Sequence, residues 1–331
     1  MAAETKMLGY VDAQNEAFRE EMRRDKKVVL WGEDIVAMGG IFNLTLGLVD
    51  EFGPDRIRDT AIVESAIVEM AVGAALTGLR PVGFVMFAAF VATCFDAVFM
   101  KLGSFVTEYE YRGPLPVVIH IAIGAGSGFG PDHCASLEAL LIHAPNLKVV
   151  LPSTPYDAKG LLKAAIRDDY PVIYMPHLTL FFGEKQAVPS EDYVIPLGKA
   201  DVKREGSDVT IVAYSAMVLK ALAAAEALSK EGISVEIVDL RTLVPLDIDA
   251  IVKSVKKTGR LLIAHEAMKR GGIAGEIAFR LTEAAPDVVK AMKTPIKRVA
   301  AKNVSLPHGS ELESKLIPQV DDVVKAVKEM V

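Results

Sequence analysis

Short apolar runs of strand length alternate along the chain with segments whose apolar positions recur every three to four residues, the signature of βα units around parallel sheets. Residues 11–24 read as an amphipathic helix and 27–31 as the strand after it, ending at Gly32-Glu33-Asp34. Within 64–79 the polar residues are Glu64, Ser65, Glu69 and Thr77, so this helix is apolar on nearly every side. It is expected to be buried, with its N-terminal end in the interior. Further strands are predicted at 81–87, 117–123, 148–151 and 172–175, with a helix at 156–167.

The segment 183–197 carries charge, two prolines and little periodicity, and reads as a linker between domains. Beyond it, strands are expected at 208–214, 234–240, 260–264 and 296–299, separated by helices at 216–231, 247–258 and 275–285. The pattern therefore predicts two α/β domains with parallel sheets: a first domain over 1–185, a linker over 186–200 and a smaller second domain over 201–331. A length of 331 residues, too long for one hydrophobic core, agrees with that division.

Composition narrows the partners. Apolar residues make up 51%, which excludes intrinsic disorder. A net charge of −6 without blocks of like charge gives no footprint for nucleic acid or an anionic membrane. The longest uncharged stretches are too short, or too broken by Pro and Gly, for a transmembrane helix, and the first seven residues have no apolar signal core. Two cysteines, Cys94 and Cys134, suit a reducing compartment, so a cytoplasmic location is expected.

The chemistry is less legible. Gly124-Ala125-Gly126-Ser127-Gly128-Phe129-Gly130 admits an anion held by backbone amides, or a mobile or closely packed loop. Pro131 and Asp132 interrupt any helix it might open, and no lysine-serine pair follows, which favours the second reading. Hydrolase, metalloprotease and zinc motifs are absent from the sequence. Glu33, Glu64, His133 and the His265-Glu266 pair remain as polar residues at element ends beside very apolar sequence. For Glu64 the plain alternative is a first-turn glutamate favoured by the helix dipole, and for His133 a loop histidine bonded to backbone.

Gly32-Glu33-Asp34, Asp59-Thr60-Ala61-Ile62-Val63-Glu64, Gly78-Leu79-Arg80-Pro81, Pro152-Ser153-Thr154-Pro155-Tyr156-Asp157 and Asp239-Leu240-Arg241-Thr242-Leu243-Val244-Pro245 resemble the beta subunits of thiamine-diphosphate-dependent 2-oxoacid dehydrogenases. That group includes the pyruvate, branched-chain 2-oxoacid and acetoin enzymes. The resemblance runs from about Met7 to the C-terminus. It implies a thiamine pyrimidine-binding domain followed by a transketolase C-terminal-like domain. It also implies an active site shared with an alpha subunit, usually in an α2β2 heterotetramer, in which the alpha subunit holds the diphosphate and its Mg²⁺. A lipoyl acyltransferase component would receive the acyl group from the carbonyl substrate.

By resemblance, Glu64 is the carboxyl that hydrogen-bonds the aminopyrimidine and drives its tautomeric shift, Phe90 packs on the pyrimidine ring, and Ile62 and Glu33 line the same pocket. His133 stands at the substrate side. Asp168, with the backbone at Ala165, falls where some members bind a structural monovalent cation such as K⁺. The chain departs from the family at Gly83 and Phe84, Ala89, Met100, His120, the Cys134-Ala135-Ser136 segment and Pro176. Those departures predict a more apolar surrounding for the cofactor and a bulkier or less polar substrate than pyruvate. They leave two alternatives: a thiamine-dependent carboligase or diketone- or ketol-cleaving enzyme without a lipoyl acceptor, and a catalytically inactive structural partner.

Overall fold

The computed structural model describes residues 4–331. Helix Tyr10–Arg24 starts where the Asp12 carboxylate accepts the Gly9 amide at 3.2 Å and ends with Arg23 and Arg24, each charge matched to its end of the helix dipole. Its face of Ala13, Ala17, Phe18 and Met22 is buried. The helix packs on Pro155–Arg167, which opens with Pro155 in its first turn and Thr154 accepting the Asp157 amide. Lys159 and Lys163 are buried between the two helices and are paired there. Lys159 meets Glu16 at 3.0 Å and Glu20 at 2.8 Å, while Lys163 meets Glu20 and Asp192.

The first sheet has seven strands in the order Thr242–Val244, Lys148–Val150, Val172–Tyr174, Val118–Ala122, Arg80–Phe87, Val28–Gly32, Ile57–Asp59. All neighbours are parallel except Thr242–Val244, which runs antiparallel to Lys148–Val150. Val28–Gly32, Arg80–Phe87 and Val118–Ala122 are buried on both faces, which explains their nearly unbroken apolar sequence. The second sheet has five strands, Lys297–Ala301, Leu261–Met268, Val209–Ala213, Val235–Asp239 and Asp201–Arg204, the last antiparallel.

Helix Glu64–Leu76 is buried along Ile67, Val68, Ala71, Val72 and Ala75, but Glu69, Met70, Gly73 and Leu76 face outward. Burial on every side, as its composition predicts, is therefore not reached within one chain. The segment expected to be a linker is fastened rather than free. Gln186–Pro189 pairs antiparallel with Thr5–Leu8, and Tyr193 and Ile195 close over Gly160, where a Cβ would lie 2.7 Å from each. One apolar core crosses the seam between domains, joining Val85, Ile119 and Ile121 of the first to Val212, Val238, Ile251 and Ile263 of the second. Among the described residues, no helix is long and apolar enough to cross a membrane.

Candidate active site

The carboxyl ends of the parallel strands of the first sheet converge on one region, the usual position of a site in an open α/β sheet. Strand Val28–Gly32 delivers Glu33, and its neighbour Ile57–Asp59, paired through Gly32 and Asp59, leads to Glu64 at the first position of its helix. Asp59 accepts the Val36 and Ala37 amides at 2.7 and 3.0 Å and so folds the chain back just beyond Glu33. Glu33 and Glu64 are both buried, 6% and 8% exposed. Oε1 of Glu33 has no hydrogen-bond partner. Burial, then the charges of Glu64 and Asp34, push the Glu33 carboxyl above its ordinary range.

Past strand Arg80–Phe87 the chain turns into the short helix Ala88–Cys94. The Cys94 thiol donates to the Phe90 carbonyl at 3.7 Å, and burial together with the nearby Glu64 pushes it up to about 12. His133 meets Phe87 edge-to-face at 4.5 Å and Phe90 at 5.5 Å. The structure thus brings His133 against Phe87 and Phe90, while Glu33 and Glu64 follow neighbouring strands. Ile62, two residues before Glu64, is 77% exposed. With Val63, Met70, Leu76, Phe95 and Met100 it belongs to the large apolar side chains this chain leaves open to solvent.

His133 rides on the glycine-containing loop, which is closely packed over part of its length. Gly124, Gly126, Gly128 and Gly130 all take positive φ, and a Cβ on Gly124 or Gly130 would lie 2.0 Å from His177 or 2.3 Å from His308. The amides of Gly126, Gly128 and Gly130 donate to the Glu313 carboxylate at 2.7, 3.0 and 3.1 Å. The loop is an anion cradle, as one reading of its glycines allows, and its anion belongs to the same chain. Glu266 accepts the Ala125 amide at 2.7 Å, the Ser136 hydroxyl at 2.9 Å and His177 Nε2 at 3.1 Å. Burial opposes its ionisation, but His177, the Ala125 amide and Lys220 hold the carboxyl below the ordinary range. His265, beside it, is buried with neither ring nitrogen hydrogen-bonded, and burial takes it down to about 4. Sequence reasoning singled out Glu266 but missed Glu313 and His177; three glycine amides without an evident anion were the available signal.

Two expectations find no support in the contacts of the residues they name. The Asp168 carboxylate accepts from Lys148 Nζ and from the Tyr170 amide at 2.9 Å. The carbonyls of Ile166 and Asp168 accept from the Arg80 guanidinium at 3.1 and 3.0 Å. The Ala165 carbonyl accepts the Asp168 amide at 3.3 Å, so the Asp168 carboxylate and the backbone beside it are engaged by groups of the chain. Among the described residues, no group of three or more His, Cys, Asp or Glu is placed to hold one. Second, Phe84 and His120 do not surround a cofactor. His120 is buried against Gln14 at 3.0 Å, between the Phe84 and Tyr174 rings at 5.0 and 5.4 Å. Burial lowers it to about 3. Both belong to the core beneath helix Tyr10–Arg24, so they carry no argument about substrate polarity.

The fold and the carboxyls at its strand ends define a transketolase-type chain. Residues 6–180 match the family described as "Transketolase, pyrimidine binding domain" and residues 198–323 "Transketolase, C-terminal domain". The chain belongs to the transketolase-like family of 2-oxoacid dehydrogenase E1 beta subunits. It is 43% identical over 320 residues to the pyruvate dehydrogenase E1 component subunit beta of Bacillus subtilis, covering 97% of each chain. It is 42% identical over 320 residues to the Staphylococcus epidermidis protein of that name, covering 96% of this chain and 97% of the other. The 2-oxoisovalerate dehydrogenase subunit beta of Bacillus subtilis is 40% identical over 325 residues, with 98% of each chain covered. A split-gene transketolase solved as an inactive β4 tetramer superposes with a TM-score of 0.78 at 26% identity, over 98% of both chains. Transketolase from Pichia stipitis shares the fold alone, at a TM-score of 0.70 and 16% identity, over 99% of this chain and 47% of the other.

Proposed function

We propose that this chain is the beta subunit of a thiamine-diphosphate-dependent 2-oxoacid dehydrogenase and supplies the aminopyrimidine side of an active site completed by an alpha subunit. The observation that carries the reading is two buried carboxyls, Glu33 and Glu64, delivered by neighbouring paired strands, with one Glu33 oxygen left unpartnered. A buried carboxyl oxygen without a donor is an unmet demand, and a ring carrying amino and protonated nitrogen groups meets it. The residues therefore fit the cofactor.

Thiamine diphosphate, when bound, would supply a carbon nucleophile, formed by loss of the acidic thiazolium proton, and a cationic ring able to take up an electron pair. Glu64 would hold a proton against the pyrimidine ring nitrogen, in surroundings dry enough for that bond to be strong. Glu33, its carboxyl raised, would remain protonated more readily and limit the charge accumulating beside Glu64. Phe90 and Ile62 would contribute apolar contact to the ring, and His133 would hold or move a proton on the substrate side.

Support for an alpha partner comes from the open apolar side chains of Ile62 and Val63, just before Glu64, and of Met70 and Leu76 further along its helix, an arrangement expected of half a site. The partner in this reading forms an α2β2 heterotetramer and holds Mg²⁺ with the diphosphate, and a lipoyl acyltransferase receives the acyl group. A cytoplasmic location agrees with two buried free cysteines. The test is Glu64→Gln in the co-purified complex. Assembly should persist while turnover of 2-oxo acids falls about 10²-fold or more, the scale of a lost positioned proton carrier. Near-normal turnover would overturn the role of Glu64, and absence of a co-purifying alpha subunit would overturn the assembly.

A further inference from the structure

Loop 124–136 is packed on one side, where Ala125 and Cys134 join an apolar cluster, and flanks a cavity on the other. A cavity of about 410 Å³ separates its second half, Pro131, Cys134, Ala135 and Ser136, from Met268, Gly272, Lys302 and Leu306 of the second domain. Dispersion contacts across such a space are lost, so packing alone cannot fix the loop on that side. Beside that apolar cluster, the second domain reaches the loop with hydrogen bonds. Glu266, on strand Leu261–Met268, takes the two ends of the loop through the Ala125 amide and the Ser136 hydroxyl. Glu313, in the short helix Ser310–Ser314, takes its middle through the three glycine amides. The Gly309 amide adds a bond to the Gly128 carbonyl at 3.0 Å. Inside the loop, Gly130 O accepts the amides of His133 and Cys134 at 3.3 and 3.0 Å, which hands the position of Gly130 directly to His133.

We propose that Glu313 and Glu266 are positioning residues for His133: two buried carboxylates of the second domain hold the loop by its backbone amides over an open cavity. The inference rests on the reading of His133 as a substrate-side group. It gives the glycines a purpose. Alternating positive-φ residues turn successive amides inward, and the absent side chains allow segment 308–313 to approach. A buried carboxylate is tolerated because it receives three N–H donors, and charge-assisted bonds of this kind are the strong ones.

The test uses the co-purified complex with Glu313→Ala, Glu313→Gln or Ser136→Ala. Three readouts are followed: hydrogen exchange of the peptide spanning the glycines, deuterium exchange at the thiazolium carbon, and product formation. In Glu313→Ala, exchange of the Gly126, Gly128 and Gly130 amides should rise and product formation should fall, each about tenfold or more, the scale of lost charge-assisted bonds. The fall should appear in kcat, with thiazolium exchange unchanged. Glu313→Gln keeps one carbonyl oxygen for the pair of amides that share Oε2 and should restore part of both. Ser136→Ala removes a single bond and should loosen the loop mildly, which keeps the test informative if the Glu313 variants do not fold.

Unchanged loop exchange in Glu313→Ala, or a loosened loop with full product formation, would overturn the proposal. Loss of thiazolium exchange together with product would also overturn it, since Glu313 would then support the whole site. Should His133→Ala leave product formation intact, the substrate-side reading of His133 fails, and loop exchange in the Glu313 variants still reports separately whether the clamp exists.

Discussion

Lys148 places its ammonium on the carboxylate of Asp168, twenty residues further along the chain, where a metal cation was expected. Arg80 completes the substitution by taking the backbone oxygens of Ile166 and Asp168. The thermal midpoint of the complex should therefore be the same in potassium chloride and in tetramethylammonium chloride at equal ionic strength. A K⁺ site filled at a hundred times its dissociation constant would add about 2.7 kcal/mol, a shift of several degrees in a chain this size. A rise of about 5 °C or more specific to potassium would show the site to be real.

His120 and His265 are both buried and held neutral, at about 3 and about 4 against an ordinary value near 6.5. A histidine whose folded value is depressed contributes stability above its unfolded value and loses it as pH falls through the folded one. The chain should become progressively less stable from about pH 6.5 toward pH 4, by about 1.4 kcal/mol per pH unit for each group in that window. His120→Gln should remove one proton from this slope. Urea unfolding at a series of pH values checks it, and an unchanged slope would place the acid sensitivity elsewhere.

Lys203 stands among three carboxylates at the seam between the domains, 2.7 Å from Asp157, 2.8 Å from Asp201 and 3.7 Å from Asp239. Burial, then the charge of Asp157, raises Asp239 to about 7, while Lys203 and Arg241 outweigh burial and keep Asp157 below its ordinary value. Lys203→Met should destabilise the chain by about 3–5 kcal/mol at pH 7.5, the cost of stranding buried charge. Part of the loss should return at pH 5.5, because removing Lys203 lifts the Asp239 carboxyl still further above its ordinary range, and a group held protonated in the folded chain favours folding as pH falls. Denaturant titrations at the two pH values measure both effects.

His133→Ala in the complex should leave deuterium exchange at the thiazolium carbon intact while product formation falls about 10²-fold, the range for a positioned acid–base group. Parallel loss of both would assign the histidine to cofactor activation.

Helices Tyr10–Arg24 and Pro155–Arg167 were legible because amphipathic periodicity and end charges agreed, and the central strands because burial on both faces leaves an apolar run. Thr242–Val244 was not, since three residues are too few for a period and their partner strand lies about ninety positions away. Glu33, Glu64 and His133 stood out as polar residues at element ends, while their roles and Phe90 came from the resemblance; in the structure His133 meets Phe90 at 5.5 Å. Glu313 lay hidden because Gly309 to Lys315 is an ordinary polar stretch, and its glycine partners are more than 180 residues away. Phe84 and His120 misled because a departure from a family's pattern names a position without saying what the new side chain packs against, here Gln14 and each other.

The strand Thr242–Val244 crosses from the second domain to become the edge of the first domain's sheet. Severing the chain within 186–200 would leave Lys148–Val150 as an uncovered edge, with the apolar surface of Val85, Ile119 and Ile121 laid bare beside it. An isolated N-terminal fragment would then be prone to edge-to-edge aggregation, although its sequence is long enough to suggest an independent folding unit. Biosynthesis follows from the same geometry: the first sheet cannot be finished on the ribosome until residue 244 has emerged, so the two domains mature as one product rather than in succession.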